Sequence, residues 1–271
     1  MRIVLLASLP PLPFLARRRA RIFFRSGGLG EFQSNVDPDA AGITVAGIVV
    51  KFMSPRTSLE FLHTGRWRNA GRSEPEEQAR RSRLQAFAES LGRSCGSMRT
   101  HYTTDFHSRR TLRAIRAMAP DLCIYLGGKD LIRPALLEIP PMGVIGNHFA
   151  LLPRLRGMHV TEWAVLLGEP VGVAVQRLEK GVDTGEIILQ EPIVATPADT
   201  IESLRERSRT LSRQLLLEAI ALLATGNATF LPQQREEGRQ YYRMHDRLRS
   251  LAEIRLRLNA VASSYEGSSA E

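Results

Sequence analysis

The sequence is poor in cysteine and contains no long apolar run. Its 271 residues include two cysteines, Cys95 and Cys123, whose spacing fits neither a metal site nor a redox pair. Cys123 lies within an apolar run and is expected in the core, and sparse cysteine of this kind is typical of a reducing cytoplasm. Because no run approaches the ~20 apolar residues that span a bilayer, the sequence predicts no membrane partner.

The N-terminus is apolar but short. Residues 1–10 carry the apolar stretch, and the basic residues 17–19 follow it. A secretory signal peptide has the opposite order, with its positive charges ahead of the apolar stretch. We therefore interpret residues 2–7 as the first buried strand, and we expect a cytoplasmic protein.

The charge is strongly unbalanced. The chain has 37 Lys+Arg against 28 Asp+Glu, a net charge of +9 and a pI near 10.3. Basic chains attract phosphates, nucleic acid or anionic membranes. The excess can equally be arginine spread over solvated helix faces, since lysine is nearly absent. Both interpretations stay open at this stage.

The hydrophobic pattern predicts an α/β fold. A helix is expected over residues 108–119, where apolar residues recur every three positions and Pro120 ends the pattern. Short apolar segments with strand character lie on either side, at residues 2–7, 43–50, 98–102, 122–126, 143–145, 171–178 and 186–193. Such alternation predicts a mostly parallel, twisted sheet covered by helices on both faces, with ligands at the carboxyl ends of its strands.

Two further regions complete the organisation. A long amphipathic helix is expected over residues 201–223, capped by Asp199 with Glu202 and ended by Gly226. Residues 227–271 read as a short C-terminal appendage with a basic helix around 248–258 and a disordered end from Ser263. Residues 52–90 form a charged insertion, which either shapes substrate access or is a surface helix without a role.

The most informative chemistry lies in two segments. The first ends a strand on His148 and turns at once into the apolar run that Pro153 closes. The second places Asp183 in a glycine-flanked turn before another strand. A His and an Asp brought together at strand ends make a proton-handling pair, and a charged imidazole stabilises an oxyanion. A carboxylate beside an imidazole favours its charged form. The structural alternatives are a histidine that only caps a strand end and an aspartate that only bonds backbone N–H groups of its turn.

Together these segments resemble the formyltransferase family that uses formyl-tetrahydrofolate. Its members carry Asn-x-His-x-Ser-Leu-Leu-Pro, then Arg-Gly, then Asp-x-Gly at about this distance. The matching residues here are His148, Leu151-Leu152-Pro153, Arg156-Gly157 and Asp183-Thr184-Gly185. The resemblance runs from about Asp121 to Ile193. It implies a Rossmann-like formyltransferase fold over residues 1–226, with 10-formyltetrahydrofolate as formyl donor.

The resemblance also implies roles for individual residues. The catalytic residues are then His148, Asp183 and Asn147. Residues expected around the folate are Gly127, Gly128, Leu131, Ile132, Leu151, Leu152, Gly181 and Val182, and those expected around the acceptor are Arg154, Arg156 and Gly157. No metal is expected, because His159 and Glu162 supply only two ligands.

One position departs from the family pattern. The family asparagine stands two residues before its histidine, but that place is Gly146 here, and Asn147 comes one position late. Successive side chains of a strand point to opposite faces, so the slip aims the amide away from the reacting centre. Three explanations stay open: a bulge carries Asn147 into the site, Gly146 leaves room for a larger acceptor, or activity is lost. A missing oxyanion donor costs ~10²–10³ in rate, which favours a working enzyme.

Several functions fit this resemblance. The first is formyl transfer to a small-molecule amine, such as an amino sugar or a natural-product intermediate. The second is transfer to an aminoacyl-tRNA; known tRNA formylases of the family carry a further C-terminal β-barrel, for which residues 227–271 are too short. Nucleic acid is therefore not the expected partner, although the high pI favours it. A formyltetrahydrofolate hydrolase and a non-catalytic folate-binding protein are further alternatives. Apolar and aromatic residues near the C-terminus suit a homodimer contact.

Overall fold

A computed structural model describes residues 1–9, 42–52, 99–127, 130–196 and 198–268. The strands are β1 (Arg2–Leu9), β2 (Thr44–Phe52), β3 (Arg99–Thr103), β4 (Leu122–Tyr125), β5 (Val144–His148), β6 (Leu155–Gly157), β7 (Val171–Arg177), β8 (Ile187–Ile193) and β9 (Arg239–Tyr241). The helices are α1 (Arg109–Ala117), α2 (Pro134–Leu137), α3 (Val160–Leu167), α4 (Ile201–Ala224) and α5 (Asp246–Ser268). None of the helices in these ranges combines the length and apolar character needed to cross a bilayer.

Seven strands form one sheet in the order β3-β2-β1-β4-β5-β7-β8. The first five are mutually parallel, whereas β7 runs antiparallel to both β5 and β8. The expected mostly parallel α/β sheet is therefore confirmed. Its antiparallel end was not anticipated, and it matters for the site because β7 starts beside the carboxyl end of β5.

Helices cover both faces of this sheet. Alternate residues of β1 enter separate core clusters, with Ile3 and Leu5 in one and Val4 and Leu6 in the other. The first cluster contains the apolar sides of α3 and α4, and the second contains Leu112 and Ile115 of α1. Burial on both faces explains why these strands read as continuous apolar runs.

The C-terminal segment packs back onto the domain. Its strand β9 pairs with β6 in a separate two-stranded parallel sheet. Ala252 and Leu256 of α5 are buried in the same core cluster as α3, and the indole N–H of Trp163 donates to the Tyr242 carbonyl at 2.9 Å. Part of the C-terminal segment thus belongs to the same core cluster as α3 and α4.

Some boundaries differ from the sequence-based expectations. Helix α4 is capped by Thr200, whose hydroxyl accepts from the Ser203 N–H in a reciprocal capping box, so the expected cap of Asp199 with Glu202 is wrong. Gly226 does follow the helix end, with φ of +72°. Helix α5 is longer than expected and stays helical to Ser268, where composition predicted disorder. The insertion at residues 52–90 lies outside the described residues except at its first position.

Candidate active site

Strand β5 delivers His148 to the carboxyl edge of the sheet. His148 is the last residue of the strand and pairs in register with Ala174 of β7. Its side chain is only 6% exposed. The ring Nε2 donates to the Leu155 carbonyl on β6 at 2.7 Å. Since a carbonyl oxygen can only accept, this bond fixes both the ring orientation and a proton on Nε2.

Asp183 reaches the same place by a different route. Strand β7 is antiparallel, so its end lies away from the carboxyl end of β5, and the turn that follows folds back over the sheet face. Asp183 has a left-handed backbone with φ of +52°, which aspartate tolerates better than most residues. The turn is tight, because a Cβ on Gly185 would lie 1.7 Å from the Arg177 carbonyl oxygen. The expectation that His148 and Asp183 meet at two strand ends is therefore corrected: one comes from a strand end and the other from a folded-back turn.

The two side chains meet as the sequence predicts. Asp183 Oδ2 lies 3.4 Å from His148 Nδ1. The same oxygen accepts the Gly157 backbone N–H at 2.8 Å. Both ring nitrogens of His148 thus face oxygens that accept protons, the Leu155 carbonyl and the Asp183 carboxylate. Nε2 is thus committed to a backbone acceptor, and Nδ1 is the ring nitrogen that faces the carboxylate.

Sequence reasoning missed a third member of this group, Gln176 on β7. Its amide nitrogen donates to Asp183 Oδ1 at 2.9 Å, and its side chain is 1% exposed. Gln176 pairs in register with Gly146 of β5 and so lies on the same sheet face as His148. A buried polar residue seven positions before the turn aspartate, inside an otherwise apolar strand, was the available signal.

Asn147 does not join the site, which corrects the expectation that it is catalytic. It pairs with Val175 of β7 with no register shift between β5 and β7, so the bulge hypothesis is wrong. Its amide nitrogen donates to the Ser212 hydroxyl on α4. Helix α4 covers the sheet face opposite to His148, as the two-residue period of a strand requires. The side chain of Asn147 therefore links strand β5 to helix α4.

The space beside Gly146 is occupied by the side chain of Leu178 in this structure. A Cβ built on Gly146 would lie 3.3 Å from a methyl carbon of Leu178, whose side chain covers the position. The hypothesis that Gly146 widens the acceptor side stays a prediction, and it requires the Leu178 side chain to move. Leu178 is held there by its backbone, which donates to the Val144 carbonyl at 2.7 Å.

The three residues expected to bind acceptor are placed otherwise. Arg156 is 4% exposed, and its guanidinium donates to the Gln233 side chain and the Gln234 carbonyl, so it anchors the C-terminal segment. Arg154 forms an exposed ion pair with Glu169 at 2.6 Å. Gly157 acts through its backbone N–H on Asp183. The role of these three residues in binding the acceptor stays a prediction, and the structure shows Arg156 buried against the C-terminal segment.

The residues expected to surround the folate divide into two groups. Ile132 and Leu152 are core residues, each 3% exposed. Leu131 is exposed and Leu151 is half-buried. Gly127 has φ of +90° just after β4, Gly181 and Val182 lie in the Asp183 turn, and Gly128 lies outside the described residues. Of this set, Leu131, Leu151 and Val182 have side chains accessible to a ligand.

A second polar cluster lies at the carboxyl ends of β1, β2 and β4. Asp130 pairs with Lys51 and accepts from the Ser8 hydroxyl at 3.2 Å, while its backbone N–H donates to the Tyr125 hydroxyl at 3.1 Å. Burial raises the pKa of Tyr125, so its hydroxyl stays a donor. Within the described ranges no three His, Cys, Asp or Glu side chains are grouped so that they could hold a metal ion.

Comparison with known proteins decides the family. A family model described as formyl transferase matches residues 68–220, more than half of the chain. The chain belongs to the formyl transferase family. The matched region contains both His148 and Asp183, so the resemblance drawn from the motifs is confirmed.

Similar members of the formyl transferase family include two bacterial proteins named methionyl-tRNA formyltransferase. The chain is 38% identical over 124 residues to the one from Koribacter versatilis, a match covering 45% of this chain and 40% of that protein. It is 34% identical over 158 residues to the one from Methylobacterium nodulans, covering 58% and 49%. The matched region therefore spans about half, or less, of these relatives.

Solved structures show the same formyl transferase fold over most of the chain. A sugar N-formyltransferase from Shewanella sp. superposes with a TM-score of 0.56 at 16% identity, covering 94% of this chain and 88% of that one. Glycinamide ribonucleotide transformylase 1 from Symbiobacterium toebii gives 0.54 at 21% identity, covering 85% and 94%. At these identities the likeness is one of fold.

Proposed function

We propose that this protein transfers the formyl group of 10-formyltetrahydrofolate to an amine of a small molecule, such as an amino sugar or a natural-product intermediate, in the cytoplasm. The observation that carries the proposal is the buried His148–Asp183 pair, with Nδ1 and Oδ2 3.4 Å apart inside the region matched by the family model. Family membership supports the folate donor.

The chemistry needs one oxyanion donor and a route for one proton. The acceptor amine attacks the formyl carbon, an oxyanion forms, and the bond from carbon to the folate nitrogen breaks. A proton leaves the acceptor nitrogen and one is added to the folate nitrogen, so the sum of charges is unchanged. Positioned donors of this kind contribute most where water is excluded, and His148 is almost fully buried.

The ring nitrogens of His148 have different roles in this mechanism. Nε2 is committed to the Leu155 carbonyl at 2.7 Å and orients the ring. Nδ1 faces Asp183 at a longer distance than the ~2.7–2.9 Å of a charge-assisted hydrogen bond. Nδ1 is thus the nitrogen left for a reacting group to approach, and Asp183 lies beside it as the partner of the imidazole.

A small-molecule acceptor is supported by the C-terminal segment. Residues 227–268 form the strand β9 and the helix α5, both packed on β6 and α3 beside the site. The solved sugar N-formyltransferase shares this fold over 94% of the chain. This segment pairs with β6, whose backbone contacts both His148 and Asp183, and we assign it to the acceptor side of the site.

A second candidate is transfer to an aminoacyl-tRNA, favoured by charge and by sequence relatives. The similar proteins from Koribacter versatilis and Methylobacterium nodulans are named methionyl-tRNA formyltransferase. Helix α1 exposes Arg109, Arg110, Arg113 and Arg116 on its solvent side. A face of this kind suits the phosphates of a nucleic acid.

One experiment separates these candidates. The purified protein is incubated with 10-formyltetrahydrofolate and either a panel of amino sugars and other amines or methionyl-tRNA, and each product is examined by mass spectrometry. A gain of one formyl group on a free amine supports the first proposal. Formylation confined to methionyl-tRNA would replace it with the second, and release of formate without any acceptor would make the protein a hydrolase.

A further inference from the structure

The buried amide of Gln176 is the polar group beside the catalytic pair that the mechanism above does not use. Its Nε2 donates to Asp183 Oδ1 at 2.9 Å. Its Oε1 is buried and has no hydrogen-bond partner among the described residues. A buried acceptor without a partner opposes folding, so a glutamine here is a poor choice for stability alone.

The local backbone also singles out this position. The pairing of β7 with β8 shifts register between Val175 and Gln176, because Val175 pairs with Leu189 and Gln176 pairs with Ile187. Such a bulge, which leaves Ile188 as the extra residue, re-aims side chains and is common beside active sites. On the other side, Gln176 faces Gly146, which presents no side chain of its own.

The two carboxylate oxygens of Asp183 have different partners. Oδ1 is held by Gln176, while Oδ2 receives the Gly157 N–H and faces His148 Nδ1. A carboxylate held only at Oδ2 is free to rotate about its χ2 angle, which is a broad torsion. The Gln176 bond removes this freedom and keeps one oxygen directed at the imidazole.

We propose that Gln176 is a positioning residue for formyl transfer, which fixes the Asp183 carboxylate so that Oδ2 faces His148. This inference rests on the proposed function, and it concerns a residue of β7 that does not itself touch the reacting atoms. It predicts that removing the amide disturbs the state of His148 and the rate of turnover, but not the fold.

Two variants and a matched control test the proposal. Gln176→Met keeps the size and burial of the side chain and removes its hydrogen bond. We expect kcat to fall about 10–100-fold, as for other residues that orient a functional histidine through its partner, with KM for the formyl donor within about threefold. The melting temperature should move by no more than ~4 °C, the shift of a 1 kcal/mol change for a domain of this size. Gln214→Met on α4 is the control, because Gln214 is also buried with an unpaired amide nitrogen, and should leave kcat unchanged.

The second variant, Gln176→Glu, gives a pH signature that a purely structural role would not produce. A glutamate at 176 places a second carboxylate against Asp183, and two carboxylates that share a site retain one proton to higher pH. The other ionisable groups nearby are His148 and the Arg177–Glu186 pair. Once protonated, the glutamate can donate to Asp183 Oδ1, so its activity relative to wild type should recover as the pH falls. A ratio that stays flat with pH would overturn the proposal.

A readout without turnover keeps this test separate from that of the proposed function. The ring ¹⁵N resonances of His148, compared by NMR without substrate, should move in Gln176→Met and stay in place in Gln214→Met. If the wild type formylates no amine, the proposed function fails while the resonances still decide the role of Gln176. Unchanged His148 resonances together with wild-type kcat in Gln176→Met would overturn it.

Discussion

Asp183 contacts three other residues of the site, Gln176, Gly157 and His148. Its Oδ1 accepts a hydrogen bond from the side-chain amide of Gln176. Its Oδ2 accepts one from the Gly157 N–H and faces His148 Nδ1. These contacts explain why a residue in a short turn controls the histidine. They also mean that substitutions of Asp183 separate its charge from its shape.

We predict that Asp183→Asn keeps the turn and loses activity. Asparagine tolerates the positive φ of this position, and Gln176 can reverse its amide to accept from the new N–H₂ group. What disappears is the negative charge beside His148. Turnover should fall by ~10²–10⁴-fold, the range for removing an oxyanion donor or the carboxylate partner of a catalytic histidine. Steady-state kinetics checks the rate, and an unchanged rate and pH–rate profile would reduce Asp183 to a turn residue.

Asn147→Ala should act on stability instead. Its amide donates to Ser212 on the far face of the sheet, so its loss should cost about 1–3 kcal/mol in the free energy of unfolding. Turnover per folded molecule should be preserved. A double-mutant cycle with Ser212→Ala isolates the contact. Loss of turnover comparable to that of a His148 variant would place Asn147 back in the site.

At the scale of elements, the small β6–β9 sheet joins the C-terminal segment to the site. Its Leu155 carbonyl holds His148, its Gly157 N–H holds Asp183, and its partner strand carries Tyr241. Displacing this pair of strands would therefore move the backbone groups that contact His148 and Asp183.

Gly157→Ala is expected to damage both stability and turnover. The new Cβ would lie 2.0 Å from the Tyr241 carbonyl oxygen, and φ at this position is +100°. Backbone strain of this kind costs about 1–3 kcal/mol, which denaturant unfolding measures. Gly226→Ala is the matched control, since its φ is +72° but nothing lies within 4 Å of the added Cβ. Equal kinetic losses in the two variants would show that β6 does not position the site.

The start of α4 gives a pH prediction. Burial opposes ionisation of Asp199, but the hydrogen bonds from Ser203 and Thr196 and the charge of Arg207 outweigh it and lower the pKa of Asp199 below 3.8. A carboxyl group whose pKa is lowered in the folded state stabilises that state above its unfolded pKa. The contribution is lost as the pH falls from about 5 through the lowered folded value. The melting temperature of the wild type should therefore fall more steeply with decreasing pH over this window than that of Asp199→Asn. Parallel curves of melting temperature against pH would contradict the assignment.

The order of the helices and strands could be predicted from the sequence more completely than the way in which they pack. Apolar runs predicted the parallel strands, and the motifs predicted that His148 and Asp183 lie close together, because burial and turn chemistry leave local signals. The direction of β7 left no such signal, since a buried strand reads the same in either direction. The contacts of Arg156 with Gln233 and Gln234 were not predicted for a related reason, since these partners lie far along the chain.

At the scale of the whole molecule, helix α5 buries Ala252 and Leu256 in the core and exposes both basic and apolar side chains to solvent. Among the side chains of α5 that the structure describes, the exposed large apolar ones are Leu248, Leu251, Ile254 and Leu258. The homodimer contact expected from the sequence stays a prediction, and these residues are its test. Sedimentation equilibrium should show a dimer that Leu251→Glu dissociates, whereas a wild-type monomer would contradict it.

The central claim is that His148 and Asp183 transfer a formyl group from 10-formyltetrahydrofolate to an amine. The most direct test compares wild type with His148→Ala in the amine panel, measuring tetrahydrofolate release and the mass of the acceptor. We predict formylation of a small-molecule amine by wild type, and a loss of at least ~10²-fold in the variant with folate binding largely retained. Near-wild-type turnover by His148→Ala would contradict the account.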